Sequence, residues 1–187
     1  VGRRTIDASD NPAVVRAART RNNGRYNGNG RHWETPPEVF EPLHAEFAFT
    51  LDVCASASSA KVPRFFSEQE DGLSRSWGGE RCWMNPPYGR EVAAWTRKAR
   101  VEVAAGGAPL VVGLLPASTD LAWWHEDVAG CCAPGAKPSE CRGLRGQPPL
   151  ADVLRWYRGR VRFLTGGPYR ASGFFASVAV AWRPRPA

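Results

Sequence analysis

The chain has 187 residues, 43% of them hydrophobic and 23% charged, which suits one globular domain and leaves little room for a second. No run approaches the ~18 consecutive apolar residues of a membrane-spanning helix, and no apolar run follows Val1-Gly2-Arg3-Arg4, so no secretory signal is visible. The net charge of +7 divides into +5 over residues 1–31 (seven Arg, two Asp), −6 over 32–141 (nine basic, fifteen acidic) and +8 over 142–187 (nine Arg, one Asp).

Two basic ends flanking an acidic middle fit a polyanion lying across the flanks. They also fit an Arg-biased genome, since 22 of the 25 basic residues are Arg. The five cysteines, Cys54, Cys82, Cys131, Cys132 and Cys141, form an odd set without regular spacing. That argues for reduced thiols in a cytosolic protein.

Residues 1–31 end in Arg21-Asn22-Asn23-Gly24-Arg25-Tyr26-Asn27-Gly28-Asn29-Gly30, which cannot bury enough apolar surface to fold alone. The stretch reads as a flexible basic arm with room for a short helix over 12–20. Thr35-Pro36-Pro37-Glu38 announces a helix: Thr35 can cap, Pro36 suits the first helical position, and Glu38 completes a capping box. Val39, Phe40, Leu43 and Phe47 then line one face. Residues 49–53 read as a strand ending near Asp52, and residues 62–66 as a short one.

Arg81-Cys82-Trp83-Met84 is a strand that runs into Asn85-Pro86-Pro87-Tyr88, where two prolines end it. Residues 91–105 form a helix with Val92, Trp95, Ala99 and Val103 on one side, stopped by Gly106-Gly107. The continuous apolar run over 110–115 fits a strand buried on both faces. Thr119 can start a helix through Val128, with Trp123 and Trp124 as packing or base-stacking residues and His125 as a polar partner. Residues 129–149, rich in Gly, Pro and Cys, read as an inserted loop. Residues 159–164 and 174–182 read as strands joined by Gly166-Gly167-Pro168, a hairpin signal.

Helices and strands alternate and a hairpin closes the chain, which predicts an α/β domain over 32–187 with a mainly parallel sheet and an antiparallel edge. Ligands of such sheets bind at the carboxyl ends of the strands. Asp52, Asn85 and Pro116 fall at predicted strand ends and so on one rim.

Asn85-Pro86-Pro87-Tyr88 carries the chemistry. The prolines fix φ near −65° and donate no N–H, so their carbonyls face outward free of local donors. Asn85 Oδ1 adds a second acceptor. Two rigid acceptors can hold both hydrogens of a planar amino group, and Tyr88 offers a face for a flat ring. Accepting those hydrogens returns electron density to the nitrogen, which can attack a methyl group on a sulfonium.

The chain resembles the phage-type DNA N6-adenine methyltransferases, the phage Dam family, over roughly residues 33–182. The likeness rests on Trp33-Glu34-Thr35-Pro36-Pro37, residues 47–56, Asp71-Gly72-Leu73 with Trp77, Asn85-Pro86-Pro87-Tyr88-Gly89, residues 114–120 with Trp123-Trp124-His125, and Gly159-Arg160-Val161-Arg162-Phe163. It implies a class I (Rossmann-like) methyltransferase fold, S-adenosylmethionine as donor, and adenine in double-stranded DNA as acceptor. It also implies a phage or prophage origin, with the protein acting in the bacterial cytoplasm. Asn85, Pro86, Pro87 and Tyr88 fall on the family's catalytic motif. Asp52 falls in the donor-binding motif, Thr35 and Pro36 on a donor-touching segment, and Asp71 is the candidate for the donor's ribose or adenine.

The Gly-rich turn usual after the first strand is missing. Cys54, Ala55 and Ser56 stand there, small enough for close backbone approach. Only 33 residues separate Asp52 from Asn85, too few for a full strand–helix–strand–helix–strand pass, so the donor half of the sheet is expected to be abbreviated.

Thr35 and Asp52 also have plain structural readings as caps. Arg142, Arg145, Arg158, Arg160 and Arg162 are candidate phosphate contacts or a solvated face. The loop 129–149 is a candidate target-recognition element. Cys131, Cys132 and Cys141 lack a C-x2-C pair and predict no metal site. No obligate protein partner is implied. Two rival functions remain: methylation of another planar amine (cytosine N4, RNA guanine N2, protein glutamine), and non-catalytic nucleic-acid binding.

Overall fold

The computed structural model describes residues 33–141, 143, 148–166 and 170–185. The arm expected over 1–31, and Arg142 and Arg145, lie outside the described residues.

The apolar run Leu110–Pro116 forms β3, buried along its whole length. It pairs in parallel with β2, Arg81–Met84, which pairs in parallel with the two-residue β1, Leu51–Asp52. On its other side β3 pairs antiparallel with β7, Ser177–Trp182, and β7 pairs antiparallel with β4, Asp152–Trp156. The sheet order is β1-β2-β3-β7-β4. Two antiparallel steps restore direction, so every strand but β7 points one way. Asp52, Met84, Pro116 and Trp156 therefore end at one rim.

Alternation along these strands sorts side chains between two faces. Trp83, Val112, Leu114, Ala179 and Ala181 share a core with Val39, Phe40, Leu43 and Phe47 of helix α1, Pro37–Phe47. Cys82, Met84, Val111, Leu115, Val180 and Trp182 share the other with Val92, Trp95, Ala99 and Val103 of helix α2, Val92–Ala104. Gly113 of β3 makes the second packing possible. A Cβ there would lie 2.9 Å from Met84 Cε and 3.3 Å from Trp182 Cζ3.

A π-helical segment, Trp124–Ala129, packs beside α2. Buried Asp127 fixes it, accepting from Arg100 Nε at 2.8 Å and Thr96 Oγ1 at 3.3 Å. The Asp127 carbonyl accepts from Trp182 Nε1 at 2.7 Å.

The capping box expected at Thr35 does not form. The residue before a proline is driven out of the helical region, so Pro36, before Pro37, is the extended N-cap (φ −73°, ψ 152°) and the helix starts one residue later. The strand expected over 62–66 reduces to one bridge, Asp52 with Phe65. Thr119 starts no helix; it lies in an exposed turn, and the helical segment begins beyond it. The hairpin is β5, Arg162–Leu164, with β6, Arg170–Ser172, while residues 177–182 join the main sheet. β4 has no counterpart among the strands expected from the sequence. Cys132 and Cys141 are bonded as a disulfide rather than free, because a 3-10 turn, Pro138–Glu140, folds residue 141 back on 132.

Candidate active site

Strand β2 delivers Asn85 to the rim, and the Pro86-Pro87 turn then leads the chain toward α2. Asn85 is half-buried, Pro86 buried, Pro87 exposed and Tyr88 half-buried. Asn85 Nδ2 donates to the Trp33 carbonyl at 2.9 Å. Asn85 Oδ1 accepts from the Tyr88 hydroxyl at 2.9 Å, and that hydroxyl also reaches the Leu114 carbonyl of β3 at 3.1 Å. The amide is thus orientated at both ends, with one lone pair of Oδ1 still unused. No donor among the described residues engages the Pro86 carbonyl.

The Tyr88 ring stands edge-on to Phe163 and Phe175, with centroids 5.9 and 4.9 Å away. Trp33 stacks on Phe163 at 5.3 Å and meets Tyr88 edge-on at 6.4 Å. Burial pushes the Tyr88 hydroxyl well above its usual range, so it stays a neutral donor. Trp33 is held in place by the next residue: Glu34 and Leu164 of β5 exchange both backbone hydrogen bonds at 3.0 Å. Sequence reasoning missed Trp33 as a positioning group because it acts through its main-chain carbonyl, which has no residue-type signature.

At the end of β1 the buried Asp52 carboxylate accepts from Cys54 N at 3.4 Å and Lys61 N at 3.1 Å. It closes turns of the following loop rather than a helix. Burial pushes its carboxyl up to about 6, against the pull of the Lys61 and Cys54 N–H groups. The Cys54 thiol, beside the Asn85 backbone N–H, is pushed well above its range by burial and by Asp52. Ala55 N donates to the Phe66 carbonyl at 3.0 Å.

Asp71 is brought to the same strand end by its neighbour. A Cβ on Gly72 would lie 2.1 Å from the Val53 carbonyl, so only glycine lets the chain pass there. Trp77 Nε1 donates to the Gly72 carbonyl at 2.9 Å and locks the approach. Asp71 takes a left-handed conformation (φ 55°), which costs Asp less than most residues. Thr35 is buried, and its Oγ1 has no partner among the described residues.

Arg158, Arg160 and Arg162 are exposed and line one cavity of about 200 Å³ with Pro36 and Val39. Arg160 is anchored there by the Gly173 carbonyl at 3.1 Å. Glu38, at the same cavity, is held below the usual carboxylate range by its own backbone N–H and by paired Arg170. Among the described residues, no helix is long and apolar enough to cross a membrane.

The family model of the DNA N-6-adenine-methyltransferases (Dam) matches residues 25–186. A DNA N-6-adenine-methyltransferase of Haemophilus phage HP1 is 41% identical over 58 residues, covering 30% of this chain and 34% of the relative. One of Escherichia phage T1 is 32% identical over 96 residues, covering 50% of this chain and 39% of the relative. These matches span well under half the length of either relative. The family match takes in the rim, the aromatic cluster and both helices, and the chain belongs to the DNA N-6-adenine-methyltransferase (Dam) family.

Proposed function

We propose that this chain methylates the exocyclic N6 of adenine in double-stranded DNA, with S-adenosylmethionine as donor. The observation that carries the reading is the fixed Asn85 amide at the end of β2, held between Trp33 and Tyr88. Family membership and the names of the two phage relatives support it. They also support a phage or prophage origin and action in the bacterial cytoplasm. We read the sheet as an abbreviated class I methyltransferase fold. In favour of that reading, β1 pairs directly with β2 and the connection 53–80 holds no helix.

The residues present fit such a donor. Asp52 offers a buried carboxylate to a cationic group, Asp71 lies on the turn packed against Val53, and Thr35 Oγ1 is a buried polar atom lacking a partner among the described residues. When bound, the donor supplies an electrophilic methyl group on a sulfonium. Asn85 Oδ1 and the Pro86 carbonyl then accept the two amine hydrogens of an adenine that has left the stack. Their pull would raise electron density on N6, which would gain the methyl as the S–CH3 bond breaks, leaving S-adenosylhomocysteine, and give one proton to water. No side chain has to act as a strong base. Arg158, Arg160 and Arg162 supply phosphate contacts.

The test is reaction of the protein with plasmid DNA and S-adenosylmethionine, then digestion to nucleosides. N6-methyldeoxyadenosine is expected, and its absence alongside another methylated base, or near-normal turnover by Asn85→Ala, overturns the reading. Asn85→Ala should lose at least about 100-fold in kcat, the scale for removing a preorganised hydrogen-bonding group, while donor binding survives.

A further inference from the structure

Four soft donors converge far along the chain from Asn85. His125 Nδ1 and the sulfurs of Cys131, Cys132 and Cys141 all lie within 4.8 Å of one another. His125 Nδ1 is 3.2 Å from Cys131 Sγ and 3.8 Å from Cys141 Sγ. Cys131 Sγ is 4.0 Å from Cys132 Sγ and 3.5 Å from Cys141 Sγ. A tetrahedral zinc site with Zn–S near 2.3 Å and Zn–N near 2.0 Å sets its ligand atoms about 3.5–3.8 Å apart.

The backbone builds this convergence. The π-helical segment ends at Gly130, in a left-handed conformation (φ 69°). Cys131 N and Cys132 N then donate back to the His125 carbonyl at 3.0 and 3.4 Å, which turns both cysteines beside the imidazole. The 3-10 turn returns Cys141 to them, its N–H on the Pro138 carbonyl at 3.2 Å. No residue from 131 to 141 is buried, so the segment has no apolar core to hold it. The disulfide accounts for two of the four donors and leaves unexplained why Cys131 and His125 Nδ1 meet it.

We propose that Cys131, Cys132, Cys141 and His125 Nδ1 form a structural zinc site when the thiols are reduced. Three Zn–S bonds and one Zn–N bond form, and three thiol protons pass to solvent. The ion with three thiolates carries one net negative charge. The shell is closed, with no open position for a substrate, so the metal clips the loop and takes no part in catalysis. The Cys132–Cys141 disulfide and the metal-bound form exclude each other. The site also lies apart from the chemistry. Ala151 N donates to the Val128 carbonyl, and β4 opens with Asp152 opposite Ala181, so the loop leaves from the end of the sheet away from Asn85. The spacing His-x5-Cys-Cys-x8-Cys hides the site, because a π-helical end and a 3-10 turn, not a short knuckle, bring the ligands together.

The test uses the whole protein made in zinc-supplemented medium and purified with a thiol reductant. Metal analysis should find zinc equimolar with the chain, and denaturation with chelator should release it and leave all five cysteines titratable. Cobalt in place of zinc should give a thiolate-to-metal charge-transfer band with tetrahedral d–d bands. Cys131→Ser and His125→Ala should each lose most of the zinc, and Cys54→Ser should keep it. Metal-free protein with only three titratable thiols overturns the proposal, as does zinc content unmoved by both ligand variants. Should the variants fail to fold, the cobalt spectrum and thiol count of the unaltered protein decide alone.

Discussion

The single Tyr88 O–H is shared between Asn85 Oδ1 at 2.9 Å and the Leu114 carbonyl at 3.1 Å, so the side chain that grips the substrate is tied through one proton to the main chain of a neighbouring strand. Tyr88→Phe keeps the ring and removes the tether. One such hydrogen bond is worth about 1 kcal/mol, or roughly a factor of five to ten in rate. We expect kcat to fall by that amount with donor Kd unchanged, read by single-turnover methylation and calorimetry. An unchanged kcat means the Asn85 orientation comes from Trp33 alone.

Asp52 links pH to stability and to donor binding. Its carboxyl titrates at about 6 in the fold, above its ordinary 3.8, so the folded state holds the proton more tightly than the unfolded chain. Stability therefore declines as pH rises from about 4 through 6, by up to a few kcal/mol in total. The ionised form that prevails above 6 is the one that attracts a cationic donor. Melting profiles between pH 4 and pH 7 should fall more steeply for the native protein than for Asp52→Asn, and donor affinity should rise as pH passes through about 6. Parallel profiles for the two proteins would refute the assignment.

Gly72→Ala places a methyl group 2.1 Å from the Val53 carbonyl. Forcing volume into a tight contact costs about 1–3 kcal/mol, a drop in Tm of roughly 3–10 °C for a chain this size. A melt within about a degree of the native protein shows that the Asp71 turn is not seated on β1.

Phe174 is 83% exposed, and its neighbour Phe175 packs on Tyr88. An aromatic ring at that rim can fill the gap left by an extruded base, a stacking interaction worth about 1–3 kcal/mol. Phe174→Ala should raise KM for duplex DNA roughly tenfold or more with Tm unmoved, and less when the target adenine is mismatched and already loose. Equal effects on both substrates argue against a wedge.

Arg158→Ala with Arg162→Ala should reduce the slope of log K against log salt by about 0.9 for each phosphate no longer neutralised. Arg160, tied to the Gly173 carbonyl, has less freedom to follow a phosphate. A salt slope untouched by the double change assigns the cavity at Pro36 to something other than DNA.

Local signals read well wherever one residue pattern meets one element. The apolar stripe Val39, Phe40, Leu43 and Phe47 is the buried face of α1, and Arg81–Met84 runs into Asn85 as its prolines require. Tertiary partners read poorly. Asp152–Trp156 carries Val153, Leu154 and Trp156 without strict alternation, on a partly exposed edge after a Gly- and Pro-rich stretch, so its pattern gives only a weak strand signal. Residues 177–182 look like the second arm of a hairpin because turn residues precede them, yet burial on both faces draws them to β3. Thr35 has the chemistry of a cap but the wrong neighbour in Pro37. At the rim, Asn85 and Tyr88 are legible as chemistry, while the Trp33 carbonyl that steadies them is not.

The strand β7 comes after every other strand in chain order yet stands in the middle of the sheet, between β3 and β4. A nascent chain on the ribosome can join β1, β2 and β3 early, but β3 then offers a bare apolar edge until residues 177–182 emerge. Only that late insertion seals the edge and recruits β4. A chain cut short of residue 177 forfeits two strands at once and leaves a sticky intermediate rather than a smaller enzyme.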